Sequence, residues 1–283
     1  MHNTISIFIQ YLLPKQAITA IAGKLANKQA GILTTKVIAW FVKRYNVNMS
    51  EAENSDINSY ATFNDFFTRA LRNNARPLVN ADFICPVDGA ISQFGAIESD
   101  QIFQAKGHQY STKALVGGDK DLAEKFTNGS FATLYLSPKD YHRIHMPCSG
   151  TLVRMTYVPG DLFSVNPTTA KEVPGLFARN ERVICEFESA NSPFVLVLVG
   201  ATIVGSMATT WHGTINPPRT NNIRSWNYTS QCITLAQGEE MGRFLLGSTI
   251  VMLFPNNTLK FNSTWSADRP IKFGEMMGNK VLN

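Results

Sequence analysis

The spacing of apolar residues changes period once along the chain, near residue 80. After Pro14, Ile18, Ile21, Ala22 and Leu25 fall at i, i+3, i+4 and i+7, the stripe of an amphipathic helix, and Leu33, Val37, Trp40 and Phe41 mark a second one. Gly31 separates the two. A third helix is predicted at Thr62 to Arg69, with Thr62 as N-cap and Asp65 three residues on. From about residue 83 the pattern becomes short β-type runs with turn punctuation: Ala90–Phe94, Phe131–Tyr135, Leu152–Met155, Arg182–Phe187, Phe194–Val204 interrupted by Gly200, Cys232–Leu235 and Ile250–Phe254. The predicted class is α+β, N-terminal amphipathic helices followed by a mostly antiparallel β-rich barrel or sandwich. The expected division is a helical region over residues 1–75 and a β-rich core over 76–283.

Composition changes this picture at one end only. With 44% hydrophobic and 17% charged residues in 283, the chain is an ordinary folding sequence. Its net charge of +5 is uneven: residues 1 to 50 hold Lys15, Lys24, Lys28, Lys36, Lys43 and Arg44 and no acidic residue, so the other 233 residues sum to −1. Apolar faces beside lysines fit an interfacial membrane anchor, although a helical arm packed on its own core has the same pattern. The apolar stretch Ile5 to Leu13 has no basic region before it and no small-residue cleavage site, so no secretory signal is expected. It is also shorter than the roughly 20 residues that cross a bilayer. Cys85, Cys148, Cys185 and Cys232 are widely separated, which fits a reduced, cytosol-facing protein.

Three stretches carry candidate chemistry. In Leu246-Gly247-Ser248-Thr249, ahead of the apolar run Ile250–Phe254, a serine hydroxyl lies close along the chain to the carbonyl of a residue that has no Cβ. Attack of Oγ on that carbonyl is an N-to-O acyl shift. β-Elimination from the ester leaves dehydroalanine, which hydrolyses to a pyruvoyl group and ammonia. Taken alone, Gly-Ser equally reads as a tight strand entry, and Asp88-Gly89 as a hairpin turn. In Ser137-Pro138-Lys139-Asp140-Tyr141-His142-Arg143-Ile144-His145, Ser137 is predicted to cap a single helical turn carrying Asp140 to His142, with Arg143 to Met146 extended. That separates His142 from His145, and no other pair has ligand spacing, so no metal is expected. Asp88, His145 and Ser248 compose a possible carboxylate, imidazole and hydroxyl relay. The serine motif lacks the G-x-S-x-G elbow of one hydrolase class.

Five longer motifs then occur in order: Tyr141–Pro147, Pro159-Gly160-Asp161-Leu162-Phe163-Ser164-Val165-Asn166, Leu176–Arg182, Val199–Ser206, and Glu240–Phe244 followed by Gly247-Ser248-Thr249. Together they resemble bacterial phosphatidylserine decarboxylase, over a span from the N-terminal helices to about residue 254; Pro255 to Asn283 carry no motif of that resemblance. The resemblance implies self-cleavage between Gly247 and Ser248 into a β chain (1–247) and an α chain (248–283) bearing a covalent pyruvoyl group derived from Ser248. It implies that Asp88, His145 and Ser248 serve cleavage and that His142 serves decarboxylation. The implied substrate is phosphatidylserine in an anionic membrane, converted through a Schiff base to phosphatidylethanolamine and carbon dioxide. A peripheral position on the cytoplasmic side of the cell membrane, a further homo-oligomer and no nucleic-acid partner complete the expectation. From the residues alone a Ser-His-Asp hydrolase, a lipid-binding module without catalysis and a pyruvoyl decarboxylase for a soluble amino acid stay open.

Overall fold

A computed structural model describes residues 2–190, 192–202, 206–216, 219–246 and 248–281, with backbone alone for residues 2–6 and Ser248. Helices α1 (His2–Leu12), α2 (Lys15–Ala26), α3 (Ile32–Tyr45) and α4 (Phe63–Phe67) come first. Pro14 precedes α2, and Gly31, at a φ of 56°, turns the chain into α3. The predicted cap of α4 is present. Thr62 Oγ1 accepts the Asp65 amide and the Asp65 carboxylate accepts the Thr62 amide, both at 3.0 Å.

Antiparallel sheets follow. The largest runs in the order Arg224–Asn227, Gly150–Val158, Arg182–Glu188, Pro193–Val199, Ser248–Phe254, Ser130–Leu136, Gly89–Ala96 and Pro270–Ile271, with Thr234–Leu235 also pairing to Gly150–Val158. The strand that begins at Ser248 is therefore central, hydrogen-bonded on both sides, with Ser248 opposite Leu136 and Thr249 opposite both Tyr135 and Val199. Its side chains divide between two clusters: Ile250, Met252 and Phe254 join one, Val251 and Leu253 the other. Burial on both faces is why this stretch reads as an unbroken apolar run instead of an alternation.

On one face the first cluster continues into a four-stranded sheet (Gly213–Thr214, Met207–Thr209, Glu240–Phe244, Arg143–His145) and a three-stranded one (Phe83–Ile84, Met276–Lys280, Leu259–Phe261). On the other face lie the hairpin Gln101–Ala105 with His108–Ser111 and the short helices between residues 112 and 179. Among the described residues no sheet closes on itself: the large one ends at Arg224–Asn227 on one side and Pro270–Ile271 on the other. The barrel half of the predicted class is thus replaced by layered open sheets.

Two local expectations also change. Ser137 to His142 form a turn, not a helical turn: the Ser137 hydroxyl donates to the Asp140 carboxylate at 2.7 Å instead of accepting the Asp140 amide, which goes to the Ser137 carbonyl at 2.9 Å. The strand after Phe194 stops at Val199: the Gly200 amide still bonds the Glu181 carbonyl in register at 2.8 Å, but the Glu181 amide turns away to the Asp161 carbonyl at 2.8 Å; Val204 lies outside the described residues.

The helices meet the core through a third cluster of Ala26, Ile38, Val47, Phe66, Phe67 and Leu246. Their other faces are bare. Phe8, Ile21, Leu25, Leu33 and Trp40 are exposed, and Leu12 and Ile32 reach 71% and 76%. Among the described residues no helix is long and apolar enough to cross a membrane.

Candidate active site

The two histidines are placed by the elements that flank the Leu246–Ser248 segment. His145 ends the strand Arg143–His145, whose neighbour Glu240–Phe244 leads into that segment. His142 just precedes the same strand, and its carbonyl accepts the Phe244 amide at 3.1 Å. The Leu245 amide donates to the Ser206 carbonyl at 3.0 Å, and the next residue, Leu246, takes a φ of 90°. A left-handed leucine is sterically unfavourable, so strain is held one residue before Gly247. Gly247 itself lies outside the described residues. Ser248 opens the central strand.

His145 is buried with both ring nitrogens engaged. Nδ1–H donates to the Gly238 carbonyl at 2.8 Å, and Nε2 accepts from the Tyr141 hydroxyl at 3.0 Å. Burial pushes the imidazole below its ordinary value, partly opposed by the Gly238 bond, and burial also raises the Tyr141 phenol so that it keeps its proton. Phe273 stacks on the ring at 3.8 Å between centroids. Gly238 reaches this position because it has no side chain: its φ is +81° and a Cβ would lie 2.4 Å from Leu78 Cδ1.

His142 is fully buried. Nδ1–H donates to the Asp140 carbonyl at 2.7 Å, the ring lies 4.0 Å from that of Phe67, and Nε2 has no partner among the described residues. Burial drives its pKa down to about 3, opposed by the Asp140 bond. The ring is therefore neutral near pH 7, with a bare lone pair on Nε2. A buried polar atom left unpaired is costly. Thr249 Oγ1, beside Ser248 in the chain, is likewise buried without a partner among the described residues. The bare Nε2 fits a site that receives a polar group after folding; Thr249, one residue from Ser248 in the strand, faces the opposite side with Val251 and Leu253.

Asp88 makes no hydrogen bond to either histidine. It lies just before the strand Gly89–Ala96 and is 1% exposed. Arg76 grips it with Nε at 3.0 Å and Nη2 at 2.6 Å, Lys272 Nζ stands 3.1 Å away, and the Phe273 amide donates at 2.9 Å. Burial pushes the carboxyl up, but these donors outweigh it and hold it below the usual carboxylate range. The imidazole of His145 is thus oriented by Gly238, while Asp88 reaches it through Phe273 and through its charge, which favours the protonated ring. Gly89 serves close approach here and not a hairpin: a Cβ would lie 2.3 Å from the Tyr135 carbonyl oxygen.

Sequence reasoning missed Tyr141 as a partner of His145, Arg76 as the partner of Asp88, and all of the C-terminal segment. That segment supplies Lys272 and Phe273, 184 and 185 residues from Asp88 in the chain, so no local spacing could mark them.

Both histidines are buried neutral, which gives stability a definite pH dependence. Between the unfolded value near 6.5 and the depressed folded values, the unfolded chain binds protons that the native chain does not, so stability should fall as pH drops from about 7 towards 4. Each proton contributes a slope of at most about 1.4 kcal/mol per pH unit. Urea unfolding across this range should show a smaller slope, by about one proton, for His142→Ala; an unchanged slope would mean that His142 is protonated in the native chain.

Comparison with known proteins places the chain among relatives. A family model described as phosphatidylserine decarboxylase matches residues 63–279, and a second, described as PSD, matches residues 5–46. The first reaches well past residue 254, so the C-terminal segment belongs to the shared pattern. The chain is 70% identical over 281 residues to the phosphatidylserine decarboxylase proenzyme of Dechloromonas aromatica (strain RCB), covering 99% of this chain and 100% of that one. It is 66% identical over 281 residues to the proenzyme of Herminiimonas arsenicoxydans, covering 99% and 96%. With the proenzyme of Azoarcus sp. (strain BH72) it is 66% identical over 279 residues, covering 99% and 97%. The chain belongs to the phosphatidylserine decarboxylase family.

Proposed function

We propose that the chain is made as a proenzyme, cuts itself between Gly247 and Ser248, and then decarboxylates phosphatidylserine to phosphatidylethanolamine. The observation that carries the first step is the strained Leu246, φ 90°, held between a strand paired to His145 and the central strand that starts at Ser248. Its products are a β chain of residues 1–247 and an α chain of residues 248–283. His145 takes the hydroxyl proton of Ser248, exchanging Tyr141 for the serine at Nε2. Asp88 favours the resulting imidazolium. Because Lys272 and Phe273 belong to the α chain and Asp88 and His145 to the β chain, their contacts also hold the two products together after the cut.

When present, the pyruvoyl group supplies a carbonyl that takes the substrate amine and an electron sink for the pair left by carbon dioxide. His142 handles the proton. A serine headgroup arrives as an ammonium ion and must lose a proton before its nitrogen can attack. The bare Nε2 of His142 is the acceptor in this reading, with the anionic headgroup offsetting the burial that disfavours its imidazolium. The imidazolium so formed, disfavoured by burial, then returns that proton to the α-carbon once carbon dioxide has left. Labelling tests for the pyruvoyl group itself: the purified protein should be trapped by hydrazine or borohydride and ignored by a fluorophosphonate, whereas a serine hydrolase would behave in the opposite way.

Residues 1–75 form the membrane-association region in this reading, and the chain sits peripherally on the cytoplasmic face. The exposed apolar faces of α1 to α3 are supported by a basic excess of +6 over residues 1 to 50. An apolar groove of about 520 Å³, lined by Leu25, Leu33, Val37, Trp40 and Leu246, runs from this surface to the residue beside the cut. Each basic residue near an anionic surface contributes roughly 1 kcal/mol. Deleting residues 1–45 should therefore release the protein from anionic vesicles in a sedimentation assay; undiminished sedimentation would refute this role.

A further inference from the structure

We propose that a polar pocket beside the candidate active site, built around Arg69, binds a phosphate oxyanion, and that in the reaction proposed above it receives the phosphodiester of the lipid headgroup. The pocket has a volume of about 170 Å³, several times the roughly 30 Å³ share of one liquid water. Its walls include Asp88 and Tyr141, so it adjoins the groups that hold and contact His145.

The charge pattern shows what it lacks. Four cations line it, Arg69, Arg76, Lys139 and Lys272, and its three carboxylates are already engaged. Glu51 and Asp88 bind Arg76 at 2.5 and 2.6 Å, Asp88 also binds Lys272 at 3.1 Å, and Asp140 is folded onto Ser137 at 2.7 Å. Arg69 and Lys139 have no carboxylate in ion-pair range among the described residues.

Arg69 is the decisive group. It is 6% exposed, yet its only hydrogen bond among the described residues is a long one, from Nη2 to the Lys139 carbonyl at 3.3 Å, and Nε has no partner. Phe66 lies beneath the guanidinium at 5.3 Å, which fixes its plane without using its donors. A buried guanidinium with Nε unpaired and a single long bond from Nη2 is expensive unless an anion completes it, and its planar fork suits phosphate oxygens. A carboxylate destined to leave as carbon dioxide is the poorer occupant, because cations that stabilise it in the ground state oppose its departure. In a serine phospholipid only two carbons separate the esterified oxygen from the amine. A phosphate held against Arg69 therefore leaves the amine within reach of the groups next to Asp140 and Tyr141, which lead directly into His142.

The assignment rests on the proposed decarboxylase activity for its substrate, but not for its anion. Four full-length proteins test both: wild type, Arg69→Gln, Arg69→Lys and Lys139→Gln, the last at an exposed position that threatens folding least. Inorganic phosphate and dimethyl phosphate, a diester without an amine, should each raise the thermal midpoint of wild type and neither that of Arg69→Gln, whether or not any lipid is turned over. With phosphatidylserine in neutral detergent micelles, where surface charge is absent, KM should rise roughly 10- to 100-fold in Arg69→Gln, the scale of lost charge-assisted hydrogen bonds. Arg69→Lys should recover part of that loss, and Lys139→Gln should show a smaller rise. Both Arg69 variants should still be cut, since Arg69 makes no hydrogen bond to His145, Tyr141 or Asp88 among the described residues. An unchanged KM in Arg69→Gln overturns the proposal, and so does a midpoint insensitive to both anions in wild type. Stabilisation by inorganic phosphate alone, with KM unchanged, would mark a site for free phosphate and overturn the headgroup assignment. A wild-type protein that binds both anions but does not decarboxylate would instead overturn the activity and leave the pocket standing.

Discussion

His142→Ala is expected to be cut normally and to decarboxylate about 10²- to 10⁴-fold more slowly, the usual contribution of a positioned proton carrier. The loss should fall on kcat, because the ring meets the reacting atoms and not the lipid tails. Its physical basis is the unpaired Nε2. Every other feature of this ring fixes it in place: Nδ1–H is held at 2.7 Å by the Asp140 carbonyl and the face by Phe67 at 4.0 Å, which leaves one lone pair with nothing to do in the free chain. Burial also sets the direction of transfer. A ring that resists protonation gives up a borrowed proton readily. Truncation opens a cavity beside Phe67, so a companion His142→Gln variant, which fills more of the space, should be slow to the same extent. If the variants are fully active, proton transfer belongs to another group.

His145→Ala should accumulate the uncut 283-residue chain. Here the effect lies on the first reaction, since no hydroxyl is activated until a base withdraws its proton. The surroundings of this ring differ from those of His142 in the way that task needs. Both nitrogens have partners, Gly238 at 2.8 Å and Tyr141 at 3.0 Å, so the tautomer is fixed with the acceptor lone pair on Nε2. Stacking between Tyr141 and Phe273 prevents rotation, with centroid distances of 5.6 and 3.8 Å. The ratio of cut to uncut chain on a denaturing gel measures the outcome directly. Should His145→Ala and His142→Ala both be cut at the wild-type rate, the division of labour between the two histidines is wrong.

Much of this arrangement can be read along the chain, and the parts that cannot share a cause. The strand Ile250–Phe254 announces itself because both of its faces are buried, and α4 because Thr62 and Asp65 form a local reciprocal cap. The amphipathic faces of α2 and α3 are likewise visible from spacing alone, since their outer residues stay exposed. What escapes are contacts made by backbone or by distant chain. Gly238 orients His145 with a carbonyl, which every residue has. Lys272 and Phe273 lie in a segment whose strands are two to five residues long, too short for a period to emerge. Ser137 shows a third kind of failure. Its sequence suits a helix cap, but its hydroxyl is spent as a donor on the Asp140 carboxylate, the Asp140 amide goes to the Ser137 carbonyl, and a turn forms instead. Arg69 follows an easily recognised helix, and only the geometry reveals that its Nε is unpaired.

The mass of the intact, freshly purified and active protein bears most directly on the whole account. Two polypeptides are expected, one ending at Gly247 and one beginning at residue 248, the second lighter than its encoded sequence by the difference between serine and a pyruvoyl group and gaining mass with hydrazine. An active preparation consisting of one continuous 283-residue chain, with an unaltered serine at position 248, would contradict it.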